Sequence, residues 1–211
     1  MLKIHEIFHS LQGESTRVGL PTVFVRLTGC PLRCGYCDTA YAFQGGENMT
    51  LQQILERVAS YGARYVTVTG GEPLAQKQCI SLLKMLCDAG YDVSLETGGS
   101  LDTSHVDPRV SVILDIKTPG SGEVQKNLWT NLQHLKPSDE VKFVLCGRED
   151  YEWARQVLAD QGIADKCTVL FSPVYSQLNP TDLADWVLQD RLPVRMQVQL
   201  HKILWGETPG K

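Results

Sequence analysis

No stretch of this chain stays apolar long enough to cross a bilayer, and its first residues, Met1 to Glu6, lack the apolar centre of a signal peptide. These absences lead us to expect a cytoplasmic protein with no membrane partner. Positive charge is also scarce: 20 Lys and Arg stand against 24 Asp and Glu, for a net charge of −4. With no broad basic field to attract phosphates, a nucleic-acid partner is not expected. Internal repeats, low-complexity tracts and linkers are missing too, so residues 1–211 are read as a single domain able to bury a sizeable core. What is present, 43% hydrophobic and 21% charged residues, is the composition of an ordinary globule.

Cysteine is unevenly spent. Four of the seven (Cys79, Cys87, Cys146 and Cys167) are scattered among apolar neighbours and are expected to be buried free thiols. The other three crowd into Cys30-Pro-Leu-Arg-Cys34-Gly-Tyr36-Cys37, spaced by three residues and then two. A structural zinc knuckle normally offers four ligands in two pairs. Three thiolates on one loop instead suit an iron–sulfur cluster with one iron left free for a substrate or cofactor. The bland alternative is a zinc site completed by His5 or His9.

Short β-branched runs alternate with helix-like stretches. Ile4–His9, Val23–Leu27, Tyr65–Thr69, Val93–Glu96, Val112–Ile116, Val141–Leu145, Val169–Phe171 and Val194–Leu200 read as strands. Thr50 with Gln53 forms a capping-box pattern ahead of Leu51, Ile54, Leu55 and Val58. Further helices are expected over Gln76–Ala89 before Gly90, Val124–Leu135, Tyr151–Gln161 before Gly162, and Pro180–Gln189 with Asn179 as N-cap. Alternation of this kind builds a mostly parallel α/β sheet. Residues 98–111 are too irregular for a full helix, so the expected fold is an incomplete, TIM-like barrel.

The unusual polar motifs share one address, the C-terminal ends of the strands, where parallel α/β folds bind ligands. Thr28-Gly29-Cys30, Gly70-Gly71-Glu72-Pro73, Glu96-Thr97-Gly98-Gly99, Asp115-Ile116-Lys117, Ser172-Pro173 and His201 all fall there. The two glycines allow close backbone approach, and Pro73 keeps Glu72 out of helical geometry, where it can accept a hydrogen bond. Arg26 stands in an otherwise apolar strand and needs an anionic partner, such as a substrate carboxylate held bidentately. Glu14 suits the paired N–H donors of a guanidine-like ring edge.

The cysteine spacing, with an aromatic residue before the third thiol and Gly70 to Pro73 at the next strand end, resembles the radical S-adenosylmethionine superfamily. Adding Leu11-Gln12-Gly13-Glu14-Ser15, Asp38-Thr39 and Gln199-Leu200-His201-Lys202, the chain is similar over nearly its whole length to the 7-carboxy-7-deazaguanine synthases. That resemblance implies a 4Fe–4S cluster on Cys30, Cys34 and Cys37, and S-adenosylmethionine cleaved to a 5′-deoxyadenosyl radical. It implies a lyase reaction in which 6-carboxy-5,6,7,8-tetrahydropterin contracts to 7-carboxy-7-deazaguanine and ammonia, on the path to queuosine. Cofactor contacts are implied for Tyr36, Cys37, Asp38, Gly71, Glu72, Asp115, Ile116, Lys117, Ser172 and Pro173. Substrate contacts are implied for Leu11, Gln12, Gly13, Glu14, Arg26, Thr69 and His201, and Mg2+ is placed at Thr39. A homodimer and an electron donor such as a flavodoxin are expected with it. Some members carry Ser-Pro-Lys in place of Asp115-Ile116-Lys117, and some reach the substrate with a C-terminal proline. Two other readings stand beside this one: an activase of a glycyl-radical enzyme, and a non-catalytic zinc or redox-sensing module.

Overall fold

The computed structural model describes residues 1–206, 208 and 210; a C-terminal contact through Pro209 lies outside the described residues. The β-branched runs form strands, because branched side chains pack well on a pleated surface. In chain order the elements are β1 (Leu2–Leu11), β2 (Pro21–Leu27), β3 (Glu47–Met49), α1 (Leu51–Ala59), β4 (Tyr65–Gly70), α2 (Cys79–Asp88), β5 (Asp92–Thr97) and β6 (Ser111–Ile116). They continue with β7 (Glu140–Leu145), α3 (Arg148–Gln161), β8 (Thr168–Pro173), α4 (Pro180–Asp190), β9 (Arg195–Met196) and α5 (Leu200–Trp205). One sheet holds all the strands in the order β3-β1-β2-β4-β5-β6-β7-β8-β9. From β2 to β9 the pairing is parallel, and β1 joins antiparallel to both β2 and β3. β3 and β9 each have one neighbour, so the barrel is open, as expected.

Alternation along the strands sorts the side chains into two environments. On β6, Val112, Leu114 and Ile116 pack in the outer core, while Asp115 faces the lumen. Outer apolar residues of β1, β2, β4 and β5 form one cluster with Ile54 and Val58 of α1 and Leu82, Leu83 and Leu86 of α2. A second cluster joins β6, β7 and β8 to Tyr151, Ala154 and Leu158 of α3 and Leu183 of α4. Each fully buried Leu contributes about 1.5–3 kcal/mol, so stability resides largely in this outer shell.

Several local signals act as read. Thr50 and Gln53 close a capping box, Asn179 accepts from Thr181 N–H at 3.0 Å, and Gly162 ends α3 in the left-handed region. Three differ. Val124–Leu135 is two 3-10 turns, Val124–Lys126 and Trp129–Gln133, and not a helix. Polar side chains there capture backbone elsewhere: Asn127 bonds both N–H and C=O of Lys117, and buried Asn131 reaches Thr103, Gly99 and Leu101. The strand expected over Val194–Leu200 pairs only at Arg195–Met196. The chain then leaves the sheet, because Gln197 accepts from Ser15 N–H and Leu200 N–H donates to Gly13. β3 escaped sequence reading because Glu47-Asn-Met49 is polar and short; Gly45 and Gly46, at φ +80° and +75°, turn it back onto β1.

Candidate active site

The loop after β1 does not run over the surface. It enters the barrel, where Gln12 and Ser15 are buried, and seals the N-terminal end of the strands. Thr16 donates through N–H and hydroxyl to Glu140 of β7, and Arg17 reaches Asp92 O and Ser111 Oγ. Above this floor lies a cavity of about 410 Å³ at the C-terminal ends of the strands.

Every residue given a cluster, cofactor, magnesium or substrate contact from the sequence lines that cavity except Glu72 and Ile116. Ile116 is an outward, core-buried position on β6, so its side chain touches no ligand in the lumen. Glu72 is fully buried and already used: it accepts from Leu74 N–H at 3.0 Å, Gly98 N–H at 2.7 Å and Thr97 hydroxyl at 2.9 Å. Its side chain therefore braces the ends of β4 and β5 and is not the free acceptor expected for a cofactor amine. His201 also differs in setting, since it sits in the first turn of α5 and not at a strand end.

One wall carries the three thiols. Cys30, Cys34 and Cys37 are free and half-buried, and burial pushes the Cys30 and Cys34 thiols up from their ordinary value. The neighbouring strand end is drawn in tightly: Glu72 N–H donates to Gly29 O at 2.7 Å and Gly71 N–H to Leu27 O at 3.1 Å. A Cβ at Gly71 would stand 2.5 Å from the Gly29 carbonyl carbon and 3.0 Å from Cys30 Cβ, so only glycine fits. Tyr36 hydroxyl and Asp115 Oδ1 are buried in this region without hydrogen-bond partners. Lys117 is 3.0 Å from Asp115 Oδ2, whose charge holds the ammonium on despite burial. Thr39 hydroxyl donates to Asp38 Oδ1 at 2.8 Å. Burial would raise the Asp38 carboxyl, but Lys202 at 3.0 Å with Thr39 and Gln199 brings it well below the usual range.

The same cavity carries a second polar cluster, suited to a planar guest. Gln12 Nε2 donates to Glu96 Oε1 at 3.2 Å and Thr69 hydroxyl to Glu96 Oε2 at 3.0 Å. Glu14 pairs with Lys142 Nζ at 3.0 Å, and Lys142 lies 3.6 Å from Asp115. Arg26 already has a protein partner: its Nε donates to Glu6 Oε1 at 2.7 Å, and its guanidinium stands over the Phe8 and Tyr41 rings. That pairing engages Nε, so the arginine does not depend on a ligand for neutralisation as its sequence setting suggested. Leu11 and Gly13 bring the backbone in, and a Cβ on Gly13 would collide with the His201 ring. Burial lowers the His201 pKa.

Sequence reasoning missed Glu6 and Lys142 and marked Glu96 and Lys202 only as parts of motifs. Lys142 carried the signal used for Arg26, a charge inside an apolar strand; Glu6 and Lys202 act through partners remote in sequence.

The donor set fits an iron–sulfur cluster with a ligand on its open side: three thiols on one loop, a glycine-only approach beside them and unpartnered polar atoms on Tyr36 and Asp115 of the same lining. It fits zinc poorly. His5 and His9 pack against Tyr41 and Tyr61, outside the cavity lining, and among the described residues no three His, Cys, Asp or Glu side chains converge on a single-ion site.

Comparison with known proteins agrees. Residues 24–187 match the family model described as the radical SAM superfamily. The chain is 50% identical over 208 residues to 7-carboxy-7-deazaguanine synthase of Chlorobaculum tepidum, covering 97% of this chain and 94% of that one. It is 41% identical to the protein of that name from Koribacter versatilis, covering 99% and 100%. The crystal structure of QueE from Escherichia coli superposes with a TM-score of 0.77 at 25% identity, covering 95% and 94%. Streptococcus suis SuiB, at 14% identity and a TM-score of 0.58 over 81% of this chain and 46% of its own, shares the fold alone.

Proposed function

We propose, since the chain belongs to the radical SAM superfamily and within it to the 7-carboxy-7-deazaguanine synthases, that its cavity contracts 6-carboxy-5,6,7,8-tetrahydropterin to 7-carboxy-7-deazaguanine with release of ammonia. The protein is a radical SAM enzyme of deazapurine biosynthesis, a lyase that uses a 4Fe–4S cluster and S-adenosylmethionine. One observation carries the substrate assignment: a single lumen is lined by the three thiols together with Arg26, Gln12 and the Glu14 and Glu96 carboxylates.

Cys30, Cys34 and Cys37 would hold the cluster, and Tyr36, Asp38, Gly71, Asp115, Lys117, Ser172 and Pro173 would receive S-adenosylmethionine. Together these groups supply a carbon-centred radical able to take a hydrogen atom from the substrate. The residues of the chain then bind, orient and exclude water. Arg26, anchored through Nε, has its two terminal nitrogens for the substrate carboxylate. Glu14 and Glu96 accept the N–H donors of the aminopyrimidinone edge, while Leu11, Gly13, Thr69 and His201 close around the ring. Mg2+, a hard cation that prefers oxygen, would be held at the Thr39 hydroxyl, where it would supply positive charge for an anionic substrate. A low-potential donor such as a flavodoxin, a homodimeric assembly and a cytoplasmic setting complete the proposal. Among the described residues no helix is long and apolar enough to cross a membrane.

The test is anaerobic reconstitution with iron and sulfide, followed by incubation with reductant, S-adenosylmethionine and the carboxytetrahydropterin. Formation of the deazaguanine is expected. Cofactor cleavage without pterin turnover would point to an activase, and one equivalent of zinc without iron would sink both radical readings.

A further inference from the structure

Lys142 projects from β7 into a lumen crowded with carboxylates. Glu14 from the loop after β1 lies 3.0 Å from its ammonium, Asp115 of β6 lies 3.6 Å away, and Glu96 of β5 lines the same cavity. The side chains of Lys142, Glu14 and Asp115 are 11%, 13% and 15% exposed. The other lysines and the arginine lining this lumen are paired with other carboxylates, Lys117 with Asp115, Lys202 with Asp38 and Arg26 with Glu6. Among the described residues Lys142 is the ion-pair partner of Glu14. Burial would strip its proton, yet Glu14, Asp115 and Glu96 hold it well above the ordinary lysine value.

We propose that Lys142 is a positioning residue for ring recognition: its ammonium fixes the Glu14 carboxylate in the lumen and offsets the repulsion from Asp115 and Glu96. The inference rests on the proposed role of Glu14 as acceptor of the substrate ring edge. A carboxylate offered to a pair of N–H donors must be charged and held still. In a poorly solvated lumen that needs a nearby cation, because an unpaired buried charge is strongly disfavoured. The compact lysine ammonium can serve one lone pair of Glu14 Oε2 while leaving the remaining lone pairs of both oxygens for the paired ring donors.

The experiment measures equilibrium binding to the anaerobically reconstituted protein without reductant, so nothing turns over. The probes are 6-carboxypterin, its 2-oxo analogue 6-carboxylumazine, and S-adenosylmethionine. In Lys142→Met, 6-carboxypterin should bind at least about tenfold more weakly, and its preference over the lumazine should fall by about the same factor, the scale of one charge-assisted contact. S-adenosylmethionine affinity should stay within about threefold, and Lys142→Arg should restore pterin binding. Because Lys142 acts through Glu14, adding Lys142→Met to Glu14→Gln should cost less than about twofold further. Should Lys142→Met fail to fold, as judged by melting, Lys142→Gln takes its place with the same expectations. Wild-type pterin affinity and selectivity in the variant would overturn the inference alone, as would additive losses in the double variant. Failure of the wild-type protein to bind 6-carboxypterin would overturn the functional reading and this inference with it.

Discussion

Gly71→Ala should damage the cofactor half of the site far more than it damages the fold. The alanine Cβ would stand 2.5 Å from the Gly29 carbonyl carbon, where carbon atoms pack at about 3.5 Å. The ends of β2 and β4 must therefore part by about 1 Å. Two hydrogen bonds cross that seam, Gly71 N–H to Leu27 O and Glu72 N–H to Gly29 O, each worth about 1 kcal/mol. Overpacking adds about 1–3 kcal/mol, for a total near 3–5 kcal/mol. In a domain of this size that lowers the melting temperature by roughly 6–20 °C. The shift also carries Cys30 away from Cys34 and Cys37, and a 1 Å misplacement costs about a hundredfold in rate. Iron and sulfide per chain, S-adenosylmethionine affinity and melting should be measured together. Gly147→Ala is the control, because its added Cβ meets nothing and its φ of 178° is ordinary extended backbone. A Gly71→Ala protein with full iron content and cofactor affinity within threefold of wild type would refute the reasoning.

Arg26→Ala should lower pterin turnover about a hundredfold, the loss of two charge-assisted hydrogen bonds at roughly 1.5 kcal/mol each, while uncoupled cleavage of S-adenosylmethionine falls much less; equal losses would remove Arg26 from substrate binding. Thr39→Val should weaken the magnesium stimulation of turnover without changing iron content, and an unchanged magnesium response would count against a metal at that hydroxyl. His201 has its pKa lowered by burial, so the unfolded chain binds a proton near pH 6.5 that the folded chain refuses. Stability must then fall as pH drops through about 6.5, and His201→Gln should flatten that part of the urea-midpoint profile relative to wild type; parallel profiles would contradict it.

The strand ends were legible because β-branched runs and polar termini are local signals, and the cysteine loop because its ligands are contiguous. What escaped depended on pairing or on parity. Glu6 holds Arg26 only because β1 runs antiparallel to β2 with Glu6 opposite Arg26, a register that no local pattern specifies. Ile116 illustrates the second case. With Asp115 and Lys117 facing the lumen, two-residue alternation required Ile116 to face the core, and that inference was open at the sequence level. Glu72 was misread in role because the motif places a carboxylate at the rim without saying which way it turns. The helix expected over Val124–Leu135 failed because Asn127 and Asn131 find partners in Lys117 and the 99–103 loop, contacts that exist only once the fold is formed.

The distribution of polarity explains how an open barrel can hold such a site. Closed barrels fill their lumen with layers of branched apolar side chains, and those layers contribute to stability. Here the inward positions mix Phe24, Ile113 and Val144 with the polar Thr67, Ser94, Thr69, Glu96 and Lys142, linked by bonds such as Thr67 to Ser94 at 2.9 Å and Gln12 to Thr67 at 3.3 Å. Such a lumen adds less hydrophobic energy than an all-apolar one, and its polar groups must be satisfied one by one. The two outer clusters supply the stability instead, one under α1 and α2 and one under α3 and α4. The loop after β1 does the rest, since buried Gln12 and Ser15 occupy the floor that a closed barrel would fill with apolar side chains, and Thr16 ties the loop to Glu140. That loop carries Gln12, Gly13 and Glu14 into the site, so the segment that seals the barrel also presents the acceptors for the ring. Substitutions in it should therefore shift stability and substrate selectivity together, whereas those under α1 to α4 should shift stability alone.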